Sequence, residues 1–225
     1  MLWSPNTQLH YPFQNTALDY SGNARHGTIN GSGVFATKPN GSRCLYFDGV
    51  GDYVATPSFG LTGTVVVFAA WVRCNPHTSS QNFIGDDEAH VAPGFIHSMR
   101  DRTGLTGYAL IWYYASGAVS QAEATGFFTG YDDVWLHMVV VCDYAGKNVY
   151  FYRNAVLFAT VAMVGTPLFP STDRVKYIGS YNTTTNLLTD GYLQNVYLGT
   201  LATMPAAGQM LANVNRLMLG MNPIW

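Results

Sequence analysis

Charge is scarce in this sequence. Asp, Glu, Lys and Arg make up 11% of the 225 residues, against about 25% in an average soluble domain. Eleven Lys and Arg face 13 Asp and Glu, for a formal net charge of −2. No basic cluster is present to neutralise phosphates, so nucleic acid is excluded as an expected partner. Cysteine is also scarce, with only Cys44, Cys74 and Cys142. Each lies in an apolar alternating run, which points to buried free thiols, and the odd number leaves at least one unpaired. No CxxC or Cys/His spacing suggests zinc. No apolar run reaches the roughly 18 residues of a membrane-spanning helix, so no membrane insertion is expected. The opening MLWSPNTQLHYPF lacks the basic and apolar regions of a signal peptide. The expectation is a chain made in the cytoplasm that acts at an extracellular surface, or one carried by a virion.

Catalytic signatures are missing as well. There is no Gly-x-Ser-x-Gly, no His-Glu-x-x-His and no phosphate loop. The six histidines are scattered, and no two form a metal-ligand pair on one strand face. In the acidic run Asp86-Asp87-Glu88, followed by His90, consecutive strand residues point to opposite sides, so the run does not present a proper catalytic pair. It is expected to be a solvated loop.

What is abundant is apolar and aromatic: 48% and 14% of the chain. The surface must then be polar through Ser, Thr, Asn, Gln, Gly and Tyr, which suits sugar binding or packing in a larger assembly. β-branched and aromatic runs dominate: Thr64–Arg73, Trp135–Cys142 and Val149–Arg153, with shorter ones at Cys44–Phe47, Tyr53–Thr56, Tyr108–Tyr114, Val156–Val161, Val175–Ile178 and Tyr192–Leu198. Turn residues separate them at Asn40-Gly41, Asp48-Gly49, Asp143–Gly146 and Asp190-Gly191. Met138–Val141 is apolar throughout, as a strand buried on both faces would be. In Val149–Arg153 alternation places Val149 and Phe151 on one face, and Tyr150 and Tyr152 on the other. Many short strands with closely spaced turns predict an all-β antiparallel sandwich. Met210, Leu211, Val214, Leu217 and Met218 instead recur at helical spacing between Pro205 and Gly220, both fitting helix-boundary chemistry. The division expected is a sandwich over 1–203 and a helical tail over 204–225, packed on that sandwich or on a partner. An oligomer contact through the tail is one expected use of it.

Several stretches, taken in order, resemble the concanavalin A-like, laminin G-like jelly-roll family. Asp19-Tyr-Ser-Gly-Asn23 and Gly27-Thr resemble its opening. Phe47-Asp48-Gly…Asp52-Tyr-Val, Ala70-Trp71-Val and Trp135-Leu-His137 resemble inner strands. Val149–Asn154, Tyr177–Ser180 and Asp190–Tyr197 resemble closing ones, with Ala155 where the family usually has Gly. The resemblance spans roughly residues 10–200 and implies a concanavalin A-like antiparallel β-sandwich. That fold carries lectins, adhesion modules, glycosidases and structural domains. Its glycosidases bear Glu-x-Asp-x-x-Glu on one strand face, a spacing found nowhere here, so the chain is expected not to be an enzyme. The function expected is non-catalytic carbohydrate binding or adhesion. The alternative is a structural protein of a phage particle (tail, fibre or capsid decoration) that uses the same fold for assembly or host attachment. Glycans, or other virion proteins, are the corresponding partners.

Similar domains often hold a structural Ca²⁺, which takes six to eight oxygens. The oxygens offered here are Asp19, Asn23, Asp48 and Asp190. A turn built by Asp19, Ser21 and Asn23, and a hairpin between Asp48 and Asp52, are the competing structural readings. No cofactor other than Ca²⁺ is expected. For a ligand, Tyr108, Trp112 and Tyr114 share one strand face that is either core or an aromatic platform. Tyr131, Tyr181 and Asn182 supply hydroxyl and amide groups. Trp71 and Trp135 are expected in the core and not as sugar platforms, and His137 is expected to pack at a strand start.

Overall fold

A computed structural model of the chain describes residues 6–74, 81–86, 95–102, 105–115, 118–180, 188, 190–221 and 223–224; for 81, 95–102, 105–115 and 118–120 the description is of the backbone. Among these residues the strands run β1 (Thr7–Tyr11), β2 (Thr28–Asn30), β3 (Val34–Thr37), β4 (Arg43–Phe47), β5 (Tyr53–Ala55), β6 (Val65–Arg73), β7 (Gln81–Gly85) and β8 (Phe95–Arg102). They continue as β9 (Leu105–Ala115), β10 (Ala118–Ala124), β11 (Leu136–Asp143), β12 (Asn148–Arg153), β13 (Val156–Ala162), β14 (Tyr177–Ile178) and β15 (Gly191–Leu201). One helix follows, α1 (Ala207–Met218). Every run expected to be a strand is one, and the helix lies where its spacing placed it. β3, β7, β8 and β10 were not anticipated. Phe95–Arg102 and Ala118–Ala124 mix polar, charged and small residues too freely to announce a strand; pairing with neighbours decides them.

Two antiparallel sheets result. The first has eight strands, in the order β13-β12-β11-β6-β15-β4-β3, with β1 also paired to β15. The second has seven, in the order β10-β9-β8-β7-β14-β5-β2. Between them lies the main core, in which Phe68, Val72, Met138, Val140 and Phe151 of the first sheet meet Val54, Phe83, Ile84 and Ile178 of the second. The three cysteines are free and buried.

β11 is buried at all eight positions, as its unbroken apolar run required. Its even-numbered residues face the other sheet, and Val139 and Val141 face outward. β6 behaves alike: Val66, Phe68, Ala70 and Val72 point inward, and Val65, Val67 and Ala69 outward. The outward residues are covered by Met210, Val214 and Leu217 of α1. The tail therefore packs on its own sandwich. The Ile224 amide donates to Asn213 Oδ1 at 2.6 Å, and Asn213 Nδ2 returns a bond to the Ile224 carbonyl at 3.2 Å. The helix ends at Gly220 (φ +67°), whose amide donates to the Leu217 carbonyl while Met221 donates to Arg216, a glycine-terminated cap of the Schellman type.

Two expectations need correction. Asp48 and Asp52 do not flank a hairpin, because β4 belongs to the first sheet and β5 to the second. The turn carries the chain between sheets. Buried Asp52 holds it by accepting the Asp48 amide at 2.9 Å and the Ser32 amide at 2.6 Å. Gly31 (φ +78°) must be glycine here, since a Cβ would lie 2.3 Å from Asp52 Oδ1. Nor is Asp86 solvated. It is 1% exposed and pairs at 3.1 Å with Lys176 Nζ, itself fully buried. Lys176 also donates to the Phe59 carbonyl at 2.8 Å and the Arg174 carbonyl at 3.1 Å. Asp87 and Glu88 lie outside the described residues.

A buried charge left without its partner is costly. Asp86→Ala is expected to lower unfolding free energy by about 3–5 kcal/mol in urea titration. The double variant Asp86→Leu/Lys176→Met, which removes both charges, is expected to recover most of that loss.

Candidate functional site

α1 covers only part of the outer face of the first sheet. On β6 the outward positions read Val65, Val67, Ala69, Trp71 and Arg73, and the helix covers the first three. Past its end, cross-strand register lines up two rows. His137, Trp71 and Gln194 form one, and Arg73, Tyr192 and Tyr46 the other. Trp71 and Trp135 are half-buried, not core. They lie at an open groove of about 590 Å³, whose other walls include Gln14, Asn40, Ser42, Gln194, Asn195 and the Met218–Leu219 end of the helix. This corrects the expectation for both tryptophans. Their strands are central, but outward parity and the length of α1 leave them uncovered.

Specific bonds hold the groove in shape. Trp71 Nε1 donates to the Met218 carbonyl at 3.2 Å, tying the sheet to the last turn of the helix. Lys38 Nζ lies 4.0 Å from the Trp135 ring centre and 4.9 Å from that of Trp71. It also donates to Gln194 Oε1 at 2.8 Å. Partial burial lowers the Lys38 pKa below the ordinary lysine value. The Trp135 indole N–H is buried and has no hydrogen-bond partner. At the next row, Arg73 makes a two-pronged pair with Asp133, at 2.7 and 2.8 Å, and lies 5.1 Å over the Tyr192 ring. Tyr192 is 4.8 Å from Tyr46, whose hydroxyl donates to Asp190 Oδ1 at 3.1 Å.

None of the anticipated site residues whose side chains are described lines this groove. Asp19 is a buried turn anchor. Its Oδ1 accepts the amides of His10 and Ser21, and its Oδ2 accepts the Ser21 hydroxyl and the Arg25 amide. Asn23 Nδ2 donates to the Thr7 and Gln8 carbonyls. Asp48 accepts the Val50 amide and the Ser32 hydroxyl. The four oxygens offered for Ca²⁺ thus divide. Asp19 and Asn23 share one turn. Asp48 and Asp190 are the next residues beyond the Phe47–Gly191 pair that ends the β4–β15 ladder. Among the described residues no group of three His, Cys, Asp or Glu could hold a metal ion. Tyr108, Trp112 and Tyr114 lie on β9, next to the edge strand β10 of the second sheet; only their backbone is described. Tyr181 and Asn182 lie outside the described residues. Tyr131 lines a separate hollow of about 360 Å³ with Arg153, Asn154 and Phe158, and its hydroxyl accepts a bond from Asn154 Nδ2 at 3.0 Å.

His137 packs beside Trp71, with ring centres 5.3 Å apart, and is 1% exposed. Burial pulls its pKa down to about 3. His10 falls to about 4, again through burial, against an opposing pull from Asp19. Both are neutral in the fold. As pH drops below about 6.5 the unfolded chain takes up protons that the folded chain refuses, so stability is lost between about pH 6.5 and 3. Melting temperature measured across that interval is expected to fall, with a shallower decline in His137→Asn.

Comparison with known proteins adds the following. The family model described as concanavalin A-like lectin/glucanases superfamily matches residues 48–203. No curated protein matches the chain. Among solved structures, domain 4 of AbnA, an extracellular arabinanase from Geobacillus stearothermophilus, in complex with arabinotriose, superposes with a TM-score of 0.70 at 17% identity, over 95% of this chain and 98% of that one. The receptor binding domain of botulinum neurotoxin mosaic serotype C/D gives 0.69 at 11%, over 96% of this chain and 51% of that one. The binding domain of Paraclostridial Mosquitocidal Protein 1 gives 0.68 at 11%, over 95% and 52%. The chain spans about half the length of these toxin domains. At such identities the likeness concerns the fold.

Proposed function

We propose that this chain, which belongs to the concanavalin A-like lectin/glucanases superfamily, is a non-catalytic carbohydrate-binding module whose site is the groove beyond α1. The observation that carries this reading is the pair of half-exposed tryptophans at a groove of about 590 Å³ walled by amides and a hydroxyl. That size lies within the roughly 300–1,000 Å³ of small-molecule sites. Aromatic faces offer an apolar surface to the C–H side of a sugar, and Gln194, Asn195, Asn40 and Ser42 can bond its hydroxyls. Scarce charge on the chain at large suits a hydroxyl-rich partner surface. Glycoside cleavage needs two carboxyl groups roughly 5–9.5 Å apart around the bond, and among the described residues no carboxylate lines the groove. The fold match to a domain in complex with arabinotriose supports the reading from outside.

Titration calorimetry against a panel of oligosaccharides tests it. Trp135→Ala and Gln194→Ala are each expected to weaken binding about tenfold or more, equivalent to roughly 1.4 kcal/mol, in protein that still unfolds cooperatively. Absence of binding to any saccharide would overturn the proposal.

For Ca²⁺ the proposal narrows to Asp48 and Asp190, since both Asp19 oxygens already accept two hydrogen bonds each and Asn23 lies in that same turn, its amide bonded to the Thr7 and Gln8 carbonyls. Adding Ca²⁺ to EDTA-treated protein should raise the melting temperature, and Asp190→Asn should abolish the rise; no rise in the parent protein counts against the site.

A second reading is assembly, as in a virion structural protein. It is favoured by exposed Val156 and Leu157 on the edge strand β13 and by Leu211 on α1, which together line an apolar hollow of about 320 Å³. Light scattering after gel filtration separates the two readings: a stable trimer or larger ring supports assembly, and a monomer opposes it.

A further inference from the structure

We propose that the groove prefers saccharides bearing an anionic group, carboxylate or sulfate, and that Lys38 is the residue that reads it; this rests on the carbohydrate-binding reading above. The buried and half-buried cations of this chain are balanced in different ways. Buried Lys176 has Asp86, and half-buried Arg73 has Asp133. Lys38 is half-buried too, and among the described residues it shares with Arg25, Arg43 and Arg153 the lack of a carboxylate within 4 Å; what sets it apart is that its ammonium lies at the groove, between two tryptophan faces. Its contacts are two tryptophan faces and one amide oxygen. An ammonium has three N–H donors and no acceptor, and Gln194 takes one of them. The tryptophan quadrupoles hold the charge in place, a contribution of about 0.5–2 kcal/mol each. Rings cannot supply a counter-charge, however.

The ammonium is also held in position before any ligand arrives. Lys38 follows directly on β3, and the carbonyl of its residue accepts the Gly41 amide while its own amide donates to Ser42. Gln194, which it bonds, is 4% exposed. Trp71 is locked to Met218. Charge-assisted bonds to an anion are roughly twice as strong as neutral ones, and more so where water is partly displaced. Burial also lowers the Lys38 pKa, so part of its water shell is already removed. A neutral sugar would gain the tryptophan and amide contacts but leave that charge unbalanced.

Calorimetry of the full chain at about 20 mM salt, with a neutral oligosaccharide, an oligogalacturonate and a sulfated oligosaccharide of the same length, tests this. One or both acidic ligands should bind at least tenfold tighter than the neutral one, and the arm that does so names the anion. In about 0.5 M NaCl the preference should shrink, because exposed charges are screened within a few ångströms. Lys38→Met should weaken acidic ligands at least tenfold more than the neutral one, and Lys38→Arg should keep the preference. Equal binding of acidic and neutral ligands by the parent protein overturns the inference while leaving carbohydrate binding intact. So does an equal loss for both classes in Lys38→Met, which would make Lys38 only a wall of the groove. If no saccharide binds, both readings fall.

Discussion

β6 and β11 must be covered on both faces, and the rest of the molecule is arranged around that demand. Val66, Phe68, Met138 and Val140 require the second sheet on the inside. Val65, Val67, Val139 and Val141 require something apolar on the outside, and α1 meets it with Met210, Val214 and Leu217. Exposed, those outward residues would form a contiguous apolar patch of the kind soluble proteins avoid. The helix has 12 residues, about 18 Å at 1.5 Å each, and its glycine cap stops it before Trp71. The groove is what remains of the outer face once the aliphatic part is covered. Where small aliphatic residues give way to Trp71 and Arg73, the sheet stops needing a cover and begins to offer a surface.

A single backbone irregularity keeps this arrangement in phase. In β15 the register shifts between Gln194 and Tyr197, and Asn195 lies at φ +49°. Leu193 and Val196 both point into the core as a result, three residues apart where regular alternation would put two. Tyr197 then lies under α1, and Gln194 stands beside Trp71. A one-residue slip turns every later side chain to the opposite face. The bulge therefore lets one strand serve the helix-covered half with one phase and the groove with the other. Bulges commonly accompany sites for this reason.

With so few charges, each one counts. Lys176 and Asp86 neutralise each other in the interior, and Arg73 and Asp133 do so at the rim. Asp19 and Asp52 spend their charge on backbone amides, fixing the first turn and the crossing between sheets. Lys38 is held by aromatic faces and an amide instead, and its charge faces the groove.

Much of the architecture was legible in the residues. Alternating runs placed the long strands, helical spacing placed α1, and the two-sided burial of β11 followed from its unbroken apolar run. These are local properties, since the period of side chains along a strand or helix is carried by neighbours in sequence. Short strands of mixed composition such as β8 and β10 were not legible, because pairing partners decide them. The groove was not legible either. Its parts come from positions 38, 71, 135, 194 and 218, and a central tryptophan looks the same in sequence whether a helix covers it or not. Only the sequence of outward residues on β6, from Val65 to Arg73, carried a trace, as small aliphatic side chains changed to Trp and Arg. The partnership of Asp86 with Lys176 was equally hidden, since charge in an apparent loop reads as solvated until a distant strand brings its counter-ion. Sequence alone determined the long, regularly patterned strands, the helix and which family the chain resembles. The tertiary structure decided which faces stay open and which charges find partners, because covering and pairing are properties of residues far apart in the chain.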